Sequence, residues 1–213
     1  MGTAERRERE KEQRRNDIID AAEKVFFSKG IETSTMDEVA ETAELSKGTL
    51  YLYFKSKEEL FHAICQRAGI KLMELFLENV KENLSGLENI RSIGRAYYEF
   101  SVKYPDYFNF MKRADGKTHC DCENDEEAVK AKMQSEKTMG IVEKYVGEGI
   151  KDGSIRADLD PVATAMLLYG MSKGVIQLMN EQIPMDSKHH IEDKRYFINY
   201  FFEFVRHGLT PQG

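Results

Sequence analysis

The chain has 213 residues, 41% hydrophobic and 32% charged. That is apolar content for one medium domain or a small one joined to a larger, and more charge than the roughly 25% of an average globular chain. The four prolines all fall from Pro105 onward, so about a hundred residues run without an obligatory helix breaker, which favours an all-α chain over a β-sandwich or barrel. A net charge of −6 speaks against nucleic acid only as a whole-chain sum; the distribution of charge decides partners.

Residues 5–15 alternate basic and acidic side chains with no apolar face, six Arg/Lys against four Glu. They read as a solvated helical extension or a disordered arm, too charged for a signal peptide, and the protein is read as cytoplasmic. From Ile18 the pattern changes. Ile18, Ala22, Val25 and Phe26 recur at i, i+4, i+7 and i+8, and Gly30 follows as a stop, predicting a helix over 16–29. Thr35 and Glu38 have capping-box spacing for a short second helix ending near Ala43, with Val39 and Ala40 facing inward. Ser46 is the N-cap of a third helix through about Phe54. Only Glu44 and Leu45 separate the second and third helices, which makes a tight helix-turn-helix. Ser56 and Glu59 repeat the capping box and open a long fourth helix with the stripe Leu60, Ile64, Ala68, Leu72, Leu75 and Phe76, closing at Ser85-Gly86. Further helices are predicted over 88–103, 105–112, 125–151, 161–181 and 190–207, with a polar loop at 116–124 and a turn at 152–154. The longest uncharged stretch of the apolar C-terminal part, Pro161 to Ser172, is shorter than the 18 or so residues that span a bilayer, and no membrane partner is expected.

Residues 45–57, LSKGTLYLYFKSK, hold Lys47, Lys55 and Lys57 and no acid. Small residues at the start of a helix let its backbone approach base edges in a major groove, while hydroxyls and ammonium groups clamp phosphates on either side. Taken singly, the tyrosines read as packing residues and the lysines as solvated; their combination inside a two-residue-turn helix pair points to duplex DNA.

The stretch IIDAAEKVFFSKGIETSTMDEVAETAELSKGTLYLYFKSKEELFHAI resembles the TetR family of transcriptional regulators along about residues 16–64. The resemblance implies an N-terminal helix-turn-helix domain (16–62, after the charged extension 1–15) joined by a long helix to a helical regulatory and dimerisation domain (63–213). It implies a dimeric repressor released from a near-palindromic operator by a small molecule. Thr35 would touch phosphate; Lys47, Gly48, Thr49 and Tyr51 would present the recognition helix to the bases; Tyr53 and Lys57 would hold the DNA backbone. Ser46 and Lys55, in the same segment, are counted with them as DNA-binding. Leu50 and Phe54 would face inward. Glu44 stands where the family usually has glycine, and at φ > 0 a glutamate costs on the order of 1 kcal/mol.

Beyond residue 85 the resemblance is weak. Aromatic and methionine side chains are dense, and they read equally as plain helical core or as the wall of a pocket for an apolar or aromatic effector. Tyr97, Tyr98, Tyr104, Phe108, Met111, Met166 and Tyr169 are the candidate wall. In the last two helices Gly170 and Gly174 sit one turn apart beside Met166, and Phe197, Phe201 and Phe204 belong to a run with too many large apolar groups for one stripe, so a homodimer interface is expected there. The alternative to this is burial of both helices within a monomer.

His119, Cys120 and Cys122 form an H-C-x-C cluster that reads as a bland polar loop or, alternatively, as a metal- or redox-responsive site. Three cysteines in all suit a reducing compartment. His62 and Cys65 share a face of the fourth predicted helix, and His189-His190 reads as solvated. No G-x-S-x-G, H-E-x-x-H or Walker-type motif occurs, so no enzyme activity and no cofactor are expected.

Overall fold

A computed structural model describes residues 2–114, 125–180 and 194–211, and among these there is no strand. In chain order the helices are α1 (Thr3–Lys29), α2 (Met36–Thr42), α3 (Lys47–Tyr51), α4 (Lys57–Asn79), α5 (Gly86–Lys103), α6 (Pro105–Ala114), α7 (Glu126–Asp152), α8 (Pro161–Asn180) and α9 (Lys194–Leu209). The all-α expectation holds, and so do the predicted starts of α2, α3, α6 and α8. The charged extension is the first half of α1, and the fourth helix stops at Asn79. A turn follows it, held by buried Asn89, whose side chain accepts from the Lys81 N–H (2.9 Å) and donates to the Lys81 carbonyl (3.0 Å).

The chain forms two compact units, Met1–Gly69 with Asp106–Gln134, and Ile70–Pro105 with Ser135–Gly213. In the first, the apolar stripe of α1 (Ile18, Ala22, Val25, Phe26) meets Val39 and Ala40 of α2, Leu50 of α3, Phe54, and Leu60, Phe61 and Ile64 of α4, all buried. The core does not close with α1 to α4 alone. Phe110 of α6 is buried in it, its ring 4.7 Å from Phe61, 5.5 Å from Phe27 and 6.3 Å from Phe26. Sequence analysis placed the sixth helix in the regulatory part, because nothing local to 105–114 announces partners some fifty to eighty residues upstream.

Around this core lies a polar clasp. The Arg67 guanidinium donates to Glu23 (3.0 Å) and Asn16 Oδ1 (3.1 Å), and the Tyr107 hydroxyl donates to Glu23 (2.7 Å). Burial, and then the bond to the Glu23 carboxylate, push the Tyr107 phenol well above its ordinary pKa, so it stays protonated as the donor.

In the second unit α5, α8 and α9 pack on one another. Met179, Ile198 and Phe201 are buried together, with Tyr98, Val175, Phe197, Phe202 and Val205 partly buried against them. Gly86 is required by close approach: a Cβ there would stand 2.1 Å from the Gly149 backbone nitrogen. The amide of Gly86 donates to Asp152 (2.7 Å), which ties the start of α5 to the end of α7.

Candidate nucleic-acid interface

The α2–α3 pair is built by its caps. Thr35 accepts from the Glu38 amide (3.3 Å), and Glu38 accepts from the Thr35 amide (2.8 Å). Glu38 also pairs with Lys29; that ammonium first, and Thr35 second, hold its carboxyl down to about 2. Ser46 Oγ accepts from the Thr49 amide (3.1 Å) and lies 2.8 Å from Thr49 Oγ1. Between the helices Glu44 has φ 55, the only positive φ at a non-glycine residue among the described residues. Its amide reaches the Glu41 carbonyl (3.0 Å) and the Leu45 amide reaches the Ala40 carbonyl (2.9 Å). That paired bonding is the Schellman ending of a helix, which favours glycine at this position. The left-handed conformation expected of Glu44 as a possibility is therefore present, at a cost of about 1–2 kcal/mol, and the turn keeps its geometry.

Around this frame Thr35, Ser46, Lys47, Gly48, Tyr51 and Lys55 are exposed, whereas Thr49 and Tyr53 are half-buried. Lys47 bridges the turn to Asp37 of α2 (2.5 Å). Leu50 and Phe54 are fully buried, as expected of the inward positions.

One position differs from the sequence expectation, and one had none. Lys57, assigned to the DNA backbone, donates instead to the carbonyls of Ser34 (2.9 Å) and Ile31 (3.1 Å), so its ammonium holds the α1–α2 loop. Leu52 escaped notice because leucine reads as core; it is 84% exposed, on the same segment as Tyr51 at 48%. An isolated solvent-facing leucine beside a recognition helix suits apolar contact with a thymine methyl group. Only its position on the surface, which a helix this short does not reveal by periodicity, could have singled it out.

Gly48 is the most informative position of the set. Its φ is not positive, and a Cβ built there would meet nothing nearer than Ser46 Oγ at 3.9 Å. Neither backbone conformation nor packing in the folded chain calls for a glycine here, and glycine in a helix costs up to about 1 kcal/mol relative to alanine.

The candidate effector residues separate. Tyr97 and Tyr169 meet with ring centroids 6.1 Å apart, and Tyr104 lies under the ammonium groups of Lys103 (5.3 Å) and Lys71 (5.4 Å), all within the second unit. Tyr98 is part of the α8–α9 core. Phe108 and Met111 belong to the first unit. Met166 is 63% exposed and lines no interior space of a single chain. The dimer candidates separate likewise. Met166, Gly170, Gly174 and Phe204 are exposed, Phe197 is half-buried and Phe201 is buried in its own unit, so Phe201 is core and Phe204 carries the outward face. His119, Cys120, Cys122, His189 and His190 lie outside the described residues. Among the described residues no three His, Cys, Asp or Glu side chains gather as a metal site.

A family model for bacterial regulatory proteins of the tetR family matches residues 18–64, the segment that runs from the packed part of α1 through α2, α3 and their caps into the start of α4. The chain is 30% identical to the uncharacterized HTH-type transcriptional regulator YhgD of Bacillus subtilis over 168 residues, 78% of this chain and 84% of that protein. In fold it is similar to the transcriptional regulator FadR of Bacillus subtilis in complex with stearoyl-CoA (TM-score 0.69, 22% identity, 91% of this chain and 98% of that one). It is also similar to AibR in complex with isovaleryl coenzyme A and operator DNA (TM-score 0.66, 18% identity, 90% and 97%).

Proposed function

As this chain belongs to the tetR family of bacterial regulatory proteins, and so is a DNA-binding transcriptional regulator, we propose that it works as a dimeric repressor released from a near-palindromic operator by an apolar small molecule. Thr35, Ser46 and Lys55 supply the phosphate contacts, Tyr53 braces the DNA backbone, and Lys47, Gly48, Thr49, Tyr51 and Leu52 face the base edges. In a two-fold dimer the recognition helices would meet successive major grooves, about 34 Å apart or somewhat more.

The observation that carries the DNA contact is the glycine at 48, which the isolated fold penalises. A partner that comes within van der Waals distance of the backbone explains it. Gly48→Ala should therefore raise the stability of the free protein, by up to about 1 kcal/mol, and lower operator affinity about tenfold or more. Melting curves and fluorescence anisotropy on a duplex selected from a random pool check both halves. A variant that gains stability and keeps full affinity would remove Gly48 from the interface.

For the effector, the aromatic side chains that Tyr97, Tyr104 and Tyr169 bring to the second unit support an apolar ligand. Two solved structures of this fold hold acyl-CoA thioesters, which makes that class the first to test. Thioesters of increasing acyl length, with free coenzyme A as control, should raise the melting temperature and weaken the operator complex by about 5- to 150-fold, the range of an ordinary coupling energy. If neither these nor a broad set of apolar compounds moves both quantities, the repressor is not released by an apolar ligand.

A further inference from the structure

α1 is a single helix from Thr3 to Lys29, but its apolar packing begins only at Ile18. Residues 4–14 are exposed on every side, and at 1.5 Å per residue the eleven steps from Arg7 to Ile18 carry the helix about 17 Å past its core.

The charges on this overhang are sorted. Arg7, Lys11, Arg14, Ile18 and Val25 follow one another at steps of 4, 3, 4 and 7 residues, which at about 100° per residue keeps them on a single line along the helix. The same line that is apolar where it packs is basic where it projects. Glu5, Glu8 and Glu12 occupy a separate face about 120° around the helix. Arg6 pairs with Glu10 (2.7 Å). Arg15, at the root of the overhang, pairs with Glu127 and lies over the Phe54 ring, 5.3 Å from its centroid. Phe54 stands between Tyr53 and Lys55, two of the residues assigned to the DNA backbone. The overhang thus leaves the domain beside the C-terminal edge of the recognition segment, and its basic line lies on the side of α1 that faces α2, α3 and α4.

We infer that Arg7, Lys11 and Arg14 form a second phosphate-binding surface, which engages the DNA flank next to the recognition helix. The net excess of two positive charges over residues 5–15 is too small for diffuse attraction to matter much, but three side chains on one line place that charge along a strand, while Glu5, Glu8 and Glu12 are turned away and Glu10, the one glutamate near the line, is paired with Arg6. This rests on the DNA-binding reading above.

The test is the salt dependence of binding to a random-sequence duplex, where each neutralised phosphate contributes about 0.9 to the slope of log K against log salt. We compare the full-length protein with two helix-preserving triple variants, R7Q/K11Q/R14Q and E5Q/E8Q/E12Q. Loss of the basic line should reduce the slope by about 2–3, and neutralising the acidic face should leave the slope as it was. Unchanged slope in the basic variant, or equal and opposite changes in the two, would overturn the inference, since the second result would report only overall charge. A wild-type protein with no salt-dependent duplex binding would instead bring down the DNA-binding reading itself, and this inference with it.

Discussion

Glutamate at both Leu167 and Phe204 is expected to give a folded monomer whose operator affinity has fallen by at least about a hundredfold, the avidity that two linked sites contribute. Both side chains are 64% exposed in the single chain, so charge there costs the fold little. Both belong to rows of exposed apolar side chains of the kind that marks an interaction surface. On α9, Tyr196, Tyr200 and Phe204 recur at every fourth residue and are exposed together. On α8, Val162, Met166, Leu167, Met171 and Leu178 flank Gly170 and Gly174, where an added Cβ would meet nothing within 4 Å. Two mid-helix glycines at about 1 kcal/mol each, placed at the centre of an open apolar face, are explained by another helix lying close against them. α8 has the length and apolarity to cross a membrane by composition alone, with a mean hydropathy of 1.3 over its best window. It carries Lys173 in mid-helix, however, and packs on α5 and α9; in the proposed dimer a second copy of α8 and α9, related by two-fold symmetry, would cover the face without placing that charge in lipid. Sedimentation at micromolar concentration and operator titration check the prediction. A wild-type monomer with full operator affinity, or a double variant that remains dimeric, would defeat it. Phe201→Glu is the contrasting control, because that ring is buried and its loss should unfold the second unit.

The helix-turn-helix was legible because its determinants are local. Thr35 with Glu38 and Ser46 with Thr49 are three residues apart, and both pairs make the bonds that their spacing announces. What escaped the sequence is long-range. Lys57 looks like any lysine of a basic segment until the carbonyls of Ile31 and Ser34, more than twenty residues upstream, are seen around its ammonium. Likewise α9 has large apolar groups all round, and composition cannot tell which row turns inward. In the structure Ile198 and Phe201 take the core and Tyr196, Tyr200 and Phe204 the surface. Leu52 is the inverse case, an apolar residue whose meaning depends on its being outside.

The same long-range blindness hid α6, and here the consequence for stability is largest. Phe110→Ala removes a ring that closes the core between Phe26, Phe27 and Phe61. Truncation of a buried phenylalanine costs about 3–5 kcal/mol, against a total stability of roughly 5–15 kcal/mol for a domain. For a chain of this size that is a fall in melting temperature of about 6–20 °C. Operator binding should fail over the same temperature range, because α2 and α3 rest on that core. Tyr107→Phe removes the hydroxyl that bonds the Glu23 carboxylate and keeps the ring; it should cost about 1.5–3 kcal/mol, which separates the aromatic plug from the polar clasp. Thermal unfolding followed by circular dichroism, with anisotropy on the operator at each temperature, reads both. If Phe110→Ala shifts the melting temperature by no more than Tyr107→Phe and leaves DNA affinity intact, then α1 to α4 hold the DNA-binding core unaided. If the large loss is found, the segment 16–62 that the sequence marks out as a domain is an incomplete one. Its missing wall is then supplied by a helix some fifty residues further along the chain, and anything that moves α6 must also act on the platform of the recognition helix.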